Sequence, residues 1–312
     1  MILLERESDW RAGACVLALG MFDGLHLGHR ALLEAAIIEA RLRGLPCVAC
    51  AFDAHPLLTL APEQAPAELT PRVEKIARME AMGVDALLLR PFTRAFANLT
   101  PNGYVGLLVS AFSPRVIAVG YNHRFGARGT GTPEVLANLG ALYGFDVRVV
   151  ERVCADGMPV SASGVRALLA KGDVRGAARM LGRWYALGGL VVEGKRIGRT
   201  LGFPTANVRQ EPERTLPRNG VYVAEAAVGT GTAGAAQFRA RAVLNIGRHP
   251  TLPEGPPTIE AHLLGYEGDL YGVAISLELI GYLRGERKFA DVEALRAQVK
   301  RDINLARSFE AT

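Results

Sequence analysis

Strand-type and helix-type runs alternate from Ala14 to about Val153, and this alternation restricts the fold more than any other feature of the chain. "ACVLALG" (14–20) reads as a strand. "HRALLEAAIIEARLRG" (29–44) reads as a helix whose Leu32, Leu33, Ala36, Ile37 and Ala40 form one apolar stripe, with Gly44 as the stop. "CVACAF" (47–52), "ALLLR" (86–90), "RVIAVG" (115–120) and "DVRVVERV" (146–153) continue the strands. "TPRVEKIARMEAMG" (70–83), "PNGYVGLLVS" (101–110) and "PEVLANLGALYG" (133–144) continue the helices. Strands separated by helices pair in parallel and need both sheet faces covered, so an α/β domain with a doubly wound parallel sheet is expected. Ligands of such sheets bind beyond the carboxyl ends of the strands.

After "SASGVRALLAKGDVRGAARMLG" (161–182), read as two short helices, the pattern changes. The short β-type runs "YALGGLVVEG", "GVYVAEAAV", "RARAVLNIG", "TIEAHLLGY" and "VAISLELIGYL" are separated by Gly and Pro clusters. They predict a small antiparallel barrel or sandwich. In "DVEALRAQVKRDINLARSF", Val292, Leu295, Val299, Ile303 and Ala306 recur at helical spacing and predict one closing amphipathic helix. The boundary is expected near Leu181, giving domains 1–181 and 182–312.

The chain has 312 residues, 49% hydrophobic and 21% charged, the balance of a globular protein. No apolar run reaches the roughly 20 residues of a membrane helix. The start "MILLERESDWRAG" lacks the basic region and apolar core of a signal peptide, so a cytoplasmic protein is expected, without membrane partners. The net charge of +5 is dispersed, which suits anionic small substrates better than nucleic acid. Cys47 and Cys50 have C-x-x-C spacing, but residues three apart on a strand face opposite sides, so they read as core cysteines.

Two stretches carry chemistry. In "GMFDGLHLGHR" (20–30), His26 and His29 fall where the first strand turns into the first helix. Unpaired N–H groups and a positive dipole end make that turn an anion site, and Gly24 and Gly28 let a phosphate approach the backbone. Two structural histidines in a loop would give the same letters. In "VVEGKRIGRTLGFPTANV" (191–208), Gly194, Gly198 and Gly202 alternate with Lys195, Arg196 and Arg199, a composition suited to a loop over phosphates but not the P-loop pattern. Thr205 and Asn207 point the same way on an extended chain and offer neutral oxygens to a Mg²⁺ shared with phosphates. Glu260 lies inside the apolar run "TIEAHLL", where a carboxylate is either functional or paired; His262, on the same face, is the candidate structural partner.

"GMFDGLHLGHR" resembles the H-x-G-H signature of nucleotidyltransferases, in the form found in bacterial bifunctional riboflavin kinase/FAD synthetases. "FDAHPLLTL" (52–60), "LTPRVEKIARMEAMGVDALLLRPF" (69–92), "GYNHRFGARGTG" (120–131) and "VSASGVRALLAKGD" (160–173) are similar to further segments of that family, in order. The resemblance implies that His26, His29 and Arg166 act on the ATP phosphates, that Gly20, Phe22, Asp23, Gly28, Asn122 and Ser163 belong to the same ATP site, and that His55 shapes the flavin side. Ala162, Ser163, Gly164 and His123 depart from the family pattern.

"GKRIGRTLGFPTANV" resembles the riboflavin kinase signature, followed in family order by "NIGRHPT" (245–251), "IEAHLLGYEGDLYG" (259–272) and "LRGERKFADVEALRAQVKRD" (283–302). Here the resemblance implies that Gly194, Lys195, Gly198, Thr205 and Asn207 hold ATP, with Thr205 and Asn207 on Mg²⁺. Glu260 is then the general base, and Arg284 and Phe289 stand on the flavin side. Asp269 and Tyr271 are expected to close a turn. The implied enzyme phosphorylates riboflavin to FMN with ATP and joins FMN to a second adenylyl group, giving FAD and pyrophosphate. The alternative is a riboflavin kinase whose adenylyltransferase domain is impaired by the departures; a non-catalytic flavin-binding module and an RNA-binding protein are further contenders.

Overall fold

The structure, a computed structural model, describes residues 1–194, 202–209, 214–229, 237–247 and 258–310. The chain divides into two compact units, Met1–Ala162 and Ser163–Thr312.

The first unit is a sheet of six parallel strands, β1 (Ile2–Leu4), β2 (Cys15–Leu19), β3 (Cys47–Phe52), β4 (Ala86–Arg90), β5 (Pro114–Gly120) and β6 (Asp146–Val150). Their order is β1-β4-β3-β2-β5-β6, so the sheet grows outward in both directions from β2. The doubly wound expectation holds, and the topological switch point lies beside β2. Helices α1 (Leu27–Leu42), α2 (Leu57–Leu60), α3 (Arg72–Ala81), α4 (Arg94–Ala97), α5 (Pro101–Phe112) and α6 (Pro133–Tyr143) connect the strands. Alternation along β2 feeds both faces. Val16 and Ala18 pack with Leu32, Leu33, Ala36 and Ala40 of α1, while Cys15, Leu17 and Leu19 pack with Val105, Leu108 and Phe112 of α5.

Cys47 belongs to the first of these cores and Cys50 packs on the second, so the C-x-x-C pair is split across the sheet as strand geometry requires. Burial pushes the Cys47 thiol up to about 12, and Cys50 well above its ordinary value. Strand β1 is not legible in the sequence: three residues, with Ile2 and Leu3 exposed, give no period. The last predicted strand stops at Val150, and Cys154–Ala155 and Met158–Pro159 form a small hairpin, β7 and β8, around Asp156-Gly157. Both turn residues have positive φ, the Asp-Gly preference of tight hairpins.

The second unit begins with α7 (Ala162–Lys171) and α8 (Val174–Leu181), the two short helices expected. The strands β9 (Tyr185–Val192), β10 (Ala206–Arg209), β11 (Gly220–Val228), β12 (Phe238–Gly247), β13 (Thr258–Leu263) and β14 (Ala274–Arg284) close a barrel in the order β10-β13-β12-β11-β14-β9. Every pairing is antiparallel, including β9 with β10. A row across four strands, Tyr222, Leu244, Ala261 and Ala206, is buried in the interior.

The C-terminal helix is Val292–Arg307, and its buried face departs from the predicted stripe. Val292 is exposed, whereas Gln298 and Asp302 are buried beside Ile303 and Ala306. The reason is polar docking: Arg284 of β14 donates to Asp302 at 2.7 Å, and Gln298 donates to Asp302 at 2.8 Å. Apolar periodicity does not register such a pair.

Candidate functional sites

At the switch point, the chain leaves β2 through a tight loop in which Phe22 (φ 51°), Gly24 (φ 80°) and Leu25 (φ 41°) all take positive φ. Each such non-glycine residue costs of order 1 kcal/mol and persists only where its surroundings hold it. Asp23 supplies the hold. Its buried carboxylate accepts the N–H groups of Leu69 (2.9 Å) and Thr70 (3.1 Å), just ahead of α3. Phe22 is fully buried beneath Gly20 and sets its ring edge on His29 at 5.3 Å. Gly20, Phe22 and Asp23 thus build the loop itself.

His26 is the N-cap of α1, its Nδ1 accepting the His29 N–H at 3.2 Å. In a neutral ring this places the proton on Nε2, which becomes a donor. The rings of His26 and His29 stack at 3.7 Å, only 13° from parallel. Gly28 permits this, because a Cβ there would sit 3.2 Å from the His26 ring. Burial, and then the neighbouring charges of His26 and Lys75, hold His29 well below its ordinary value, so it is neutral at pH 7. Its Nδ1 is buried and, among the described residues, has no hydrogen-bond partner. The result is a helix N-terminus carrying two stacked imidazoles, of which His29 is held neutral, an arrangement that receives anions.

Asn122 is exposed just beyond β5. Next to it, His123 lies against Phe125 at 5.8 Å and 24°, as an aromatic ring would, and burial lowers it to about 4. A row of rings at the carboxyl ends of β3, β4 and β5 escaped the sequence reading. Phe52, Phe92, Phe96, Tyr104 and Phe125 each touch the next, with centroids 4.9–5.7 Å apart. The available signal was position: Phe52 ends β3, and Phe92 follows β4 by two residues. The 52–60 segment is tied to this row by Thr59, whose hydroxyl donates to the Phe92 carbonyl at 2.7 Å; within it, His55 accepts the Leu57 N–H at 3.2 Å. Ser163, exposed, and Arg166, half-buried, stand on α7 in the second unit.

In the barrel, register assembles the other site. Asn207 of β10 lies opposite Glu260 of β13, and Glu260 lies opposite Asn245 of β12. All three are half-buried while their chain neighbours are buried, so they form one row on the face away from the barrel interior. Directly opposed residues have Cβ atoms roughly 4.5–5.5 Å apart. Thr205 shares that face by alternation with buried Ala206. Gly194 leaves room for the Asn207 side chain as it stands, since a Cβ there would fall 2.1 Å from the Asn207 amide nitrogen. His262 does not pair with Glu260: its Nδ1 is engaged with the Pro204 carbonyl at 2.9 Å, and Phe203 meets its ring edge-on. The structural Glu–His alternative is therefore dropped. Asn245 was missed as a site residue, and its signal is the cross-strand register.

Lys195 and Gly198 lie outside the described residues. The Arg284 guanidinium is held by Asp302 and the Gly285 carbonyl and faces the Phe289 ring at 5.9 Å. Asp269 accepts the Tyr271 N–H at 3.0 Å, closing the turn between β13 and β14.

Comparison with known proteins bears on both units. The FAD synthetase family model matches residues 8–164, and the riboflavin kinase family model matches residues 181–310. The bifunctional riboflavin kinase/FMN adenylyltransferase of Escherichia coli strain K12 is 39% identical over 296 residues, 95% of this chain and 92% of its own. That of Bacillus subtilis strain 168 is 33% identical over 292 residues, 92% and 90% of the two chains. A crystal structure described as a macrolide-efflux protein from Streptococcus pneumoniae superposes with a TM-score of 0.88 at 27% identity, covering 99% of both chains. That description stays with that protein; among the described residues here, no helix is long and apolar enough to cross a membrane. On the two family models and the two full-length relatives, the chain belongs to the bifunctional riboflavin kinase/FMN adenylyltransferase family.

Proposed function

We infer that this chain carries out both reactions of its family, making FMN from riboflavin and FAD from FMN, each at the expense of ATP. The structural observation that carries the reading is the Asn207–Glu260–Asn245 row, which sets one carboxylate between two amides beside the Thr205–Asn207 pair. A ribityl hydroxyl is a poor nucleophile, and Glu260 accepts its proton as the γ-phosphoryl moves. Thr205 and Asn207 fit Mg²⁺: two neutral oxygens on one face leave the remaining positions to phosphates and water. The metal, when bound, offsets phosphate charge and aligns the transferred group. Gly194 supports the same arrangement by letting the glycine loop approach Asn207. Lys195 and Gly198 are proposed as ATP contacts of that loop. Phe289, faced by Arg284, stands on the flavin side.

In the first unit, the N-terminus of α1 and the His26–His29 stack receive ATP phosphates, with Gly28 keeping the approach open and Asn122 at the nucleotide's edge. The row from Phe52 to Phe125 offers flat apolar faces that suit an isoalloxazine, and His55 belongs to that side. Arg166 and Ser163 are proposed as further phosphate contacts of adenylyl transfer. The departures at Ala162 and His123 favour a second reading, a kinase with an impaired adenylyltransferase; against it, His123 fills the aromatic position next to Phe125 as a half-buried ring stacked against it. A cytoplasmic location and small-molecule partners complete the proposal. The test is a product time course from riboflavin, ATP and Mg²⁺: FMN followed by FAD supports the first reading, FMN alone selects the second, and neither product rejects both.

A further inference from the structure

Lys75 is a lysine whose side chain is largely covered by protein. It lies in the first two turns of α3 and is only 4% exposed, although lysines are almost never fully buried unless paired. Among the described residues, no hydrogen bond or ion pair engages its ammonium. The adjacent Glu74 is taken by Arg78 at 2.8 Å, and the Asp23 Oδ1 is taken by the Leu69 and Thr70 N–H groups. The charge of Lys75 nevertheless bears on His29. Among the described residues, two buried polar atoms in this region are without partners, the His29 Nδ1 and the hydroxyl of fully buried Thr70. The Lys75 stem is covered while its ammonium has no protein partner among the described residues, so it can meet an incoming anion without first giving up an ion pair.

We propose that the Lys75 ammonium is a further phosphate-binding group of the adenylyltransferase site, holding the β- and γ-phosphates of ATP and then the pyrophosphate as it departs. The inference rests on the adenylyl-transfer reading of this unit and names a residue that reading did not use. In that reaction an FMN phosphate oxygen bonds to the ATP α-phosphorus. The bond from that phosphorus to the bridging oxygen breaks, and pyrophosphate leaves with the electron pair; no other reactant is needed. Negative charge accumulates on the leaving group. Neutral His29 can donate a hydrogen bond but brings no charge, whereas Lys75 brings a full one from a second helix, pinned to the histidine loop through Asp23.

The test uses the full chain and its K75M and K75R variants. Two quantities are measured in magnesium buffer: the calorimetric affinity for inorganic pyrophosphate, and the rate of FAD formation from supplied FMN and ATP. Expected for K75M is a loss of ~10²-fold in both, the scale of one removed donor at a dry anion site. K75R, which keeps the charge, should lose about tenfold or less. Riboflavin phosphorylation in the second unit should be unchanged, and ligand-free K75M should melt no earlier than the parent, because methionine keeps the covered stem and no ion pair is lost. Pyrophosphate affinity and FAD formation within about threefold of the parent in K75M would overturn the proposal. So would equal losses in both variants, early melting of K75M, or a parent that binds no pyrophosphate. A parent that binds pyrophosphate but forms no FAD would instead remove the adenylyl-transfer reading, and the binding comparison would still judge Lys75.

Discussion

The histidine site and the barrel site reach their geometry by opposite routes. In the first, His26, Gly28 and His29 are sequence neighbours, and a capped helix behind a backbone with three positive φ angles brings them together. In the second, Asn207, Glu260 and Asn245 are spread over 54 residues of chain, 207 to 260, and meet through the hydrogen-bond register of three strands. The first arrangement depends on local strain held in place by Asp23. The second needs no strained backbone, because ladder partners face one another by construction. Residues of the barrel row should therefore change chemistry without disturbing the fold, whereas residues of the histidine loop should change both.

The largest expected effect tests the barrel half of that contrast. Glu260→Gln keeps the shape of the side chain and removes the proton acceptor, so riboflavin phosphorylation should fall ~10³-fold, within the range for a lost general base. FAD formation from supplied FMN should persist, and the melting curve should match the parent's. Phosphorylation at the parent rate would take Glu260 out of its role. Next comes the loop. Asp23→Ala strips two buried N–H groups of a charged acceptor and should destabilise the first unit by about 2–3 kcal/mol. It should lower FAD formation while FMN formation survives. An unaltered melt would mean that the loop holds its positive φ angles without Asp23. Smaller again is Asn245→Ala, which removes the amide opposite Glu260 on β12 and should lower riboflavin phosphorylation about tenfold at unchanged stability. A variant as fast as the parent would take Asn245 out of the site.

The same contrast explains what the sequence disclosed. The alternating strand and helix runs gave the parallel sheet because each element is long enough to show its own period, and α1 shows it most fully, through Leu32, Leu33, Ala36 and Ala40. The barrel strands were legible as short runs. Their order was not, because pairing β10 with β13 and β13 with β12 is a long-range property. For the same reason the histidine motif could be read as a unit, while Asn245 could not be placed beside Glu260. The C-terminal helix shows another limit. Its period was correct, but the buried side includes Gln298 and Asp302, and only the partner on β14, Arg284, explains why polar residues face inward. The aromatic row from Phe52 to Phe125 was hidden because its rings come from β3, the segment after β4, α4, α5 and the loop after β5, which only the fold brings together.

The smallest expected effect separates the two units by pH. Burial lowers His123 to about 4 from an ordinary 6.5, so the folded first unit keeps this ring neutral where the unfolded chain protonates it. Between those values the unfolded state binds more protons, and stability rises with pH. The contribution is therefore complete above about pH 6.5 and is lost progressively as pH falls toward 4. His29, also lowered, acts in the same direction. In the barrel, His262 is tied to the Pro204 carbonyl beside Phe203, and the buried interior row carries no histidine. Thermal melts at pH 7.5, 6 and 5 should thus show the first unit losing stability while the second changes less. His123→Phe keeps a ring against Phe125 and removes the titrating group, so it should flatten the acid slope of the first transition without abolishing it, since His29 remains. Parallel slopes for parent and variant would show that His123 is not held neutral, and the aromatic place next to Phe125 would then belong to a ring that water reaches.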